Sequence, residues 1–505
     1  MKLILLFLFL ILNKETFSYK AIIFTFHDTG SHQGSISKLF LKLAKDGYNI
    51  DVFDTTSKIL PNYGQNISVI DGRTDFIPRL IYNVSDLVWK SFPDSTSLVR
   101  LYNIGDLYLK SLIEQKPEIV SQVLSETYDI VILGDIFSTH GIWFAETLKR
   151  TKNIPFIFYG TTLQLHYANS ALGFGRHYLS RPCPEGDMKR RGKDVFDLNS
   201  FWIRLSTFQS AFSEHFALGN FADFVIPTLK SLSSSKFDFV KFHTESSFFL
   251  SEAFDRLGLP LSEVNDFKGV GPNCPKVGKL PSNLETFVND PKSKGTIFVA
   301  FGSHAKWDIA PKYITNAFFE AFSKLTDYRF IFSFNGKIKS SLPKHILILE
   351  WSPQKEILNH PKTKIFISHS GLKSTTEAIC AAIPIIFMPL YAEQKANSQF
   401  LTYFGHAETL DKFSVSAKDV IEAIERIEIN FPERKEKMEK LKRLYLDRIV
   451  NPMDEASFYV TKVIKANKGN GRLPFKRVSI EQSWLVFLSF DLFALLIAFV
   501  FIISK

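Results

Sequence analysis

Polar residues between Trp351 and Asn397 stand where a parallel α/β sheet binds its ligands. Two apolar runs, KIFISHS and PIIFMPL, flank the helical pattern LKSTTEAICAA, which is typical of parallel strands joined by a crossover helix. His369 ends the first strand and Gly371 permits a close turn, while Lys373 and Ser374 open the helix. Because backbone N–H groups and the helix dipole favour an anion there, the spacing predicts a site for a group such as a diphosphate.

The side chains around this turn fit the rest of a nucleotide and a sugar. Glu377 follows one helical turn later, where its carboxylate suits a ribose diol. Trp351 offers a flat aromatic face for a base, and Gln354 is near enough to read the edge of that base. Glu393 and Gln394 follow the next strand and are predicted to exchange hydrogen bonds with sugar hydroxyls.

This segment resembles the donor-binding signature of the UDP-glycosyltransferases, in particular the membrane-bound UDP-glucuronosyltransferases of animals. The signature reads W-x-P-Q, H-P, T-H-x-G-x-N-S/G-x-x-E-A and P-x-x-x-D-Q-x-x-N. The matching residues are Trp351, Pro353, Gln354, His360, Pro361, His369, Gly371, Ser374, Glu377, Ala378, Gln394 and Asn397. Three residues depart from the pattern: Ser370 replaces a common glycine, Lys373 a usual asparagine and Glu393 a usual aspartate.

The resemblance assigns a role to each part of the signature. It implies that Trp351 and Gln354 hold uracil and that Glu377 holds the ribose. The diphosphate falls to His369 and Ser374. Lys373 stands where the family has asparagine, and its place at the helix start predicts a phosphate contact, with a side chain turned out to solvent as the alternative. The transferred sugar falls to Glu393 and Gln394.

The resemblance also implies a catalytic pair in the first half of the chain. His32 lies in a G-S-H motif after the strand AIIFTF and matches the family's catalytic histidine, with His27 as a rival five residues earlier. Asp135 ends the strand YDIVILGD and matches the carboxylate that orients and charge-stabilises that histidine. Gly302 and Ser303 end the strand GTIFVAFGS and resemble a turn that meets the diphosphate.

The elements that position these residues indicate an α/β protein of more than one domain, because single cores stop growing near ~250–300 residues and the chain has 505. The resemblance implies the GT-B arrangement, in which two Rossmann-like domains face each other across a cleft. The predicted boundaries are a signal peptide at 1–18, an acceptor-binding domain at 19–270, a Gly- and Pro-rich linker at 271–290, a UDP-sugar-binding domain at 291–465 and a transmembrane helix at 484–503.

Composition narrows the possible partners. The net charge of +10 is spread along the chain and no nucleic-acid-binding module accompanies it, so a solvated surface is favoured over nucleic-acid binding. The 50 phenylalanines indicate a large apolar interior or an apolar acceptor cleft. Only Cys183, Cys274 and Cys380 are present, so at most one disulfide can form, and Cys380 is expected to be buried and inert.

Both ends of the chain carry targeting patterns. The apolar run Leu3–Leu12 predicts a signal peptide cleaved near Ser18, with an uncleaved anchor as the alternative. Trp484–Ile503 is just long enough to span ~30 Å of hydrocarbon, although a lipid-anchor signal also fits this end. The sequons at Asn66 and Asn83 then predict N-glycosylation in a lumen.

The expected function is inverting transfer of a sugar from a UDP-sugar to a hydroxyl of a small lipophilic acceptor. His32 would take the hydroxyl proton, and UDP would leave without a metal or a cofactor, since the UDP-sugar is a co-substrate. Glucuronic acid is the expected sugar, with glucose transfer and a non-catalytic membrane-bound binding protein as alternatives. The expected setting is a single-pass protein of the endoplasmic reticulum membrane with its body in the lumen, and a homo-oligomer is possible.

Overall fold

A computed structural model describes residues 18–26, 30–56, 62–76, 88–91, 95–162, 200–220, 222–233, 237–252, 264–302, 305–336, 342–468, 483, 486 and 489–504. Structural statements below concern these residues. The predicted signal peptide up to Phe17, the rival His27, the sequon at Asn83, Cys183 and Ser303 lie outside them.

Seven parallel strands form the sheet of the first domain, in the spatial order β3-β2-β1-β4-β5-β6-β7. Helices lie on both sides, so β1, β4 and β5 read as continuous apolar runs rather than as alternating ones. The strands are β1 (Lys20–Phe24), β2 (Asn49–Asp54), β3 (Ile67–Asp71), β4 (Ile130–Gly134), β5 (Phe156–Gly160), β6 (Phe248–Ser251) and β7 (Phe267–Gly269).

The helix after β1 shows why these segments fold as crossover units. Its buried residues Ile36, Leu39, Phe40 and Leu43 recur at the spacing of one helix face and pack onto the sheet. The helices of this half are α1 (Gly30–Lys45), α2 (Ser95–Gln115), α3 (Pro117–Ser125), α4 (Thr139–Lys152), α5 (Phe201–Asn220), α6 (Ala222–Val225), α7 (Pro227–Leu232) and α8 (Phe239–Thr244).

Six parallel strands form the second sheet, in the order β10-β9-β8-β11-β12-β13. They are β8 (Gly295–Ala300), β9 (Tyr328–Ser333), β10 (Ile346–Leu349), β11 (Thr363–Ser368), β12 (Ile385–Phe387) and β13 (Ala407–Thr409). The helices after the first sheet are α9 (Ser282–Val288), α10 (Lys312–Lys324), α11 (Gln354–Leu358), α12 (Leu372–Ala381), α13 (Gln394–Tyr403), α14 (Ala417–Ile429), α15 (Phe431–Leu446), α16 (Pro452–Asn467) and α17 (Phe490–Ile503). Two such sheets with helices on both faces are the two Rossmann-like domains of the GT-B fold.

Helix α16 follows the second domain in sequence but packs against the first. Its residues Val460 and Val463 are fully buried in the core formed by β1, β2 and α1. The Tyr48 hydroxyl lies 2.6 Å from Thr461 Oγ1, and the Phe248 and Tyr459 rings stack at 4.6 Å. The last helix before the tail therefore joins the two domains.

A segment of the first half makes the reverse crossing. The Trp89 side chain is fully buried in the core of the second domain, 5.0 Å from the Trp307 ring, and its Nε1 donates to Lys306 O at 3.0 Å. The buried Lys412 ammonium donates to Val88 O at 2.5 Å and Ser91 O at 2.7 Å. Residues 88–91 are thus held in the second domain by both packing and hydrogen bonds.

One disulfide joins the linker to the helix of the donor signature. Cys274, between the sheets, is bonded to Cys380 on α12, 106 residues later. Cys380 is buried, as the sequence analysis expects, but the prediction that it is inert is wrong, because it forms this bond.

The C-terminal tail is described in part. Helix α17 has 14 residues, all apolar except Asp491, and its side chains are exposed. Residues 484, 485, 487 and 488 of the predicted span lie outside the described residues. Where the structure describes the chain, no helix combines the length and hydrophobicity needed to cross a bilayer.

Candidate active site

Each sheet has one place where neighbouring strands send their connections in opposite directions. In the first sheet this is the junction of β1 and β4, and in the second it is the junction of β8 and β11. Crevices outside the carboxyl ends of such strands bind ligands. The predicted catalytic residues follow β1 and β4, and the predicted phosphate residues follow β8 and β11.

His32 lies in the first turn of α1 and is partly buried. Its Nδ1 lies 2.7 Å from the hydroxyl oxygen of Thr161, the residue directly after β5. The Thr161 backbone N–H donates to Asp135 Oδ1 at 3.3 Å, and Asp135 Oδ2 is buried without a hydrogen-bond partner. The structure therefore brings the predicted catalytic pair into one cluster, with Thr161 contacting both members.

The electrostatics of this cluster extend across the cleft. Burial raises the pKa of Asp135 to about 7, and the negative charge of Glu393 on the second domain acts in the same direction. Burial also raises the pKa of Glu393 to about 7. The two carboxyl groups, one on each domain, are therefore close enough for the charge of Glu393 to disfavour ionisation of Asp135.

The predicted phosphate turn is shaped by two glycines around His369. A Cβ added to Gly302 would lie 2.8 Å from His369 Nε2, and one added to Gly371 would lie 2.6 Å from it. Gly302 also has a φ of +71°, which favours glycine. The imidazole ring can therefore occupy the turn only because both neighbours lack a side chain.

Ser370, where the family commonly has glycine, adopts a left-handed backbone with φ of +65°. That conformation costs a non-glycine residue about 1–2 kcal/mol. The Ser370 hydroxyl donates to Gln394 O at 2.5 Å, and Asn397 Nδ2 donates to Ser370 O at 2.9 Å. These bonds hold the strained residue and tie the phosphate turn to the start of α13.

A hydrogen-bonded network joins α11 to α12. Gln354 Nε2 donates to Glu377 Oε2 at 2.6 Å and to Ser374 Oγ at 3.1 Å. Burial raises the pKa of Glu377, while the Gln354 bond and the charges of Lys373 and Lys38 oppose that rise. The predicted ribose carboxylate is thus held in place by the residue predicted to read the base.

Trp351 and Gln394 occupy contrasting environments. The Trp351 side chain is 79% exposed, so its ring is available for stacking. Gln394 is buried, and its Oε1 accepts from Leu390 N at 2.9 Å and Tyr391 N at 3.1 Å. Gln394 therefore shapes the loop that carries Glu393 in addition to its predicted role toward the sugar.

Lys373, one of the three departures from the signature, is exposed and reaches the opposite domain. Its Nζ would lie 3.5 Å from a Cβ added to Gly34 of α1. His32 is on the first turn of the same helix. The ammonium group therefore lies in the cleft between the predicted phosphate turn and the helix of the predicted base.

Sequence reasoning located these residues but missed Thr161. The run PFIFYG predicts a strand, and the rule that ligand-facing residues follow strand ends also applies to the threonine after it. The sequon residue Asn66 is exposed in the turn before β3, where a glycan has room.

Comparison with a family model places most of the chain in one family. Residues 111–505 match the model described as UDP-glucoronosyl and UDP-glucosyl transferase. The matched region includes Asp135, Thr161 and the whole of the segment from Trp351 to Asn397.

Similar sequences extend over nearly the full length. The chain is 27% identical to "UDP-glycosyltransferase UGT5" of Dactylopius coccus, covering 95% of this chain and 89% of the relative. It is 25% identical to "UDP-glucuronosyltransferase 2B7" of Homo sapiens, covering 94% and 90%.

Solved structures agree on the architecture. The chain resembles Medicago truncatula UGT71G1 complexed with UDP-glucose, with a TM-score of 0.59 and 16% identity over 89% of this chain and 99% of that one. A UDP complex of UDP-glucose: anthocyanidin 3-O-glucosyltransferase gives a TM-score of 0.58 at 16% identity, with the same coverage of each chain. At this identity the likeness establishes the GT-B fold.

Proposed function

The chain belongs to the UDP-glucoronosyl and UDP-glucosyl transferase family and is a UDP-glycosyltransferase of the animal glucuronosyltransferase type; from this premise we propose that it moves glucuronic acid from UDP to a hydroxyl of a small lipophilic acceptor, with inversion. The observation that carries the proposal is the meeting of two half-sites. His32, Thr161 and Asp135 lie on one side of the cleft, and Lys373 of the donor signature extends from the other side to Gly34, on the helix that carries His32.

The proposed reaction is a single displacement. His32 takes the proton of the acceptor hydroxyl, and the acceptor oxygen forms a bond to the anomeric carbon as the bond from that carbon to UDP breaks. In the proposed tautomer His32 Nδ1–H donates to Thr161 Oγ1, and Nε2 takes the acceptor proton. A single displacement inverts the configuration at the anomeric carbon, so an α-linked donor gives a β-linked product.

The departing UDP gains negative charge, and the second domain supplies groups to stabilise it. The His369 ring, the start of α12 and the Lys373 ammonium surround the predicted phosphate position. Glu377 and Gln354 hold the ribose and the base edge from a preformed network. Glu393 accepts hydrogen bonds from the sugar hydroxyls.

Charge near the donor network favours glucuronic acid over glucose as the transferred sugar. Several relatives are named glucuronosyltransferases, and Lys373 and Lys38 add positive charge near the donor network. A sugar carboxylate gains from that charge, whereas a neutral hexose does not.

We expect membranes bearing the protein to use UDP-glucuronic acid with a kcat/KM at least ten times that for UDP-glucose, roughly the effect of 1.4 kcal/mol. Phenols and alcohols serve as acceptors, and proton NMR of the product reports the anomeric configuration. A preference for UDP-glucose would replace the proposed sugar by the glucosyl alternative. A retained configuration would exclude the single displacement.

Lys373→Ala is expected to weaken UDP binding by roughly 1.5–3 kcal/mol, the scale of a charge-assisted hydrogen bond. The salt dependence of UDP affinity should flatten, because one ion pair with the diphosphate is lost. Calorimetry at two salt concentrations measures both effects. Lys418→Ala, on the exposed side of α14, removes the same charge far from the signature and should leave the affinity unchanged. Equal affinities for wild type and Lys373→Ala at both salt concentrations would show that Lys373 is a solvated surface residue that does not contact the diphosphate.

We further propose a single-pass protein of the endoplasmic reticulum membrane whose body lies in the lumen. The N-terminal signal pattern, the apolar tail and the disulfide, which persists in oxidising compartments, support this setting. Carbonate extraction of the full chain and of a chain ending at Gln482 tests it, since only the full chain should resist extraction. Release of the full chain by phospholipase would favour the lipid anchor.

A further inference from the structure

The residue after β5 occupies a position between the two predicted members of the catalytic pair. Thr161 Oγ1 lies 2.7 Å from His32 Nδ1, and its N–H donates to Asp135 Oδ1. Thr161 is buried, so its hydroxyl has little access to water and bonds to the groups around it. Thr161 and Asp135 directly follow β5 and β4, and His32 lies at the start of α1, the helix after β1; these three strands are adjacent in the sheet.

We propose that Thr161 is a positioning residue for the base: its hydroxyl accepts a hydrogen bond from His32 Nδ1–H and links the imidazole to the Asp135 carboxylate. This inference rests on the proposed role of His32. A histidine that keeps its proton on Nδ1 presents Nε2 as the basic nitrogen. The Thr161 hydroxyl in turn directs its own hydrogen toward Asp135. The Asp135 carboxylate therefore acts on the imidazole through the oriented hydroxyl and not by direct contact.

The charges around His32 fit this arrangement. When Nε2 takes the acceptor proton, the imidazolium positive charge is stabilised by the oriented hydroxyl and, beyond it, by Asp135. The Thr161 hydroxyl and amide both act to lower the pKa of Asp135 against the effect of burial. Glu393 adds negative charge from the opposite domain, and the Lys373 ammonium near Gly34 adds positive charge at α1. Only the proton of the acceptor hydroxyl is transferred in this step.

Thr161→Val tests the hydroxyl alone, because valine has almost the same shape. We expect kcat to fall about 10–100-fold while the KM for the UDP-sugar stays within about twofold, since an ill-positioned base affects proton transfer and not donor binding. The acid limb of the kcat/KM profile for the acceptor should move to lower pH, because the imidazolium loses an acceptor. Thr161→Ser keeps the hydroxyl and should restore kcat to within about threefold of wild type.

Thr55→Val is the matched control, because Thr55 is also a buried threonine just after a strand of this sheet. Its kcat should stay within about twofold of wild type. Thr161→Ala takes the place of the valine variant if that protein does not fold, with the same criteria.

Wild-type kcat and an unmoved pH profile in Thr161→Val would overturn the inference. A raised KM for the UDP-sugar at unchanged kcat would also overturn it, by assigning Thr161 to the donor. An inactive wild type with every UDP-sugar would instead count against the proposed function itself, so the two failures are distinguishable.

Discussion

His32→Ala is expected to lower kcat for sugar transfer by roughly 10²–10⁴-fold, the usual contribution of a general base. The affinity for UDP should change less than about twofold, because the donor residues belong to the second domain, whereas His32 serves the acceptor. Initial rates with saturating UDP-sugar and calorimetry with UDP measure the two quantities separately.

His27→Ala is the comparison variant for this experiment, since the two histidines are five residues apart. Wild-type turnover in His32→Ala together with lost turnover in His27→Ala would show that the other histidine is the base. Weak UDP binding in His32→Ala would show that the effect is not confined to the acceptor side.

Removal of the disulfide is expected to have the largest effect on stability. The bond between Cys274 and Cys380 closes a loop of 106 residues, and cross-linking a loop of that size stabilises the folded state by up to about 4.7 kcal/mol through the unfolded chain. Cys274→Ala measures the contribution of the cross-link alone, because the Cys274 side chain is exposed and its loss leaves no cavity. Thermal unfolding with and without a reducing agent measures the effect.

The reducing agent should lower the Tm of the wild type to that of Cys274→Ala and should leave the variant unchanged. Cys380→Ala should fall slightly lower still, because Cys380 is buried and its truncation also removes packing. Cys183→Ala serves as the control for thiol chemistry elsewhere. An equal Tm for wild type and Cys274→Ala would mean that the cross-link contributes nothing to stability.

The sequence predicted those parts of the molecule that depend on local patterns. Apolar runs such as YDIVILGD and KIFISHS are strands, because buried parallel strands need continuous hydrophobicity. Within the segment from Trp351 to Asn397, the predicted strand, turn and helix around His369 are present in the structure, because turn and helix-start preferences act over a few positions. The likeness to solved structures confirms the predicted GT-B arrangement.

The features that the sequence left unpredicted all depend on distant residues. Nothing near Trp89 indicates that its partner is Trp307, and nothing near Cys274 selects Cys380 over Cys183. Thr161 gains its place beside His32 only when β5 and β1 are brought to the same sheet, with β4 between them. Pattern reasoning identifies elements, whereas contacts between elements far apart in the chain require the folded arrangement.

The exchange of segments between the two domains limits how this protein can be divided. The second domain made alone would lack Trp89 and expose an aromatic socket beside Trp307. The first domain cut at the linker would lack α16 and uncover the face that holds Val460 and Val463. A chimaera that takes its acceptor half from one relative and its donor half from another therefore has to preserve two contacts at once: the packing of Trp89 in the second domain and the packing of α16 on the first. Recombination at the linker alone joins halves that were never fitted to each other.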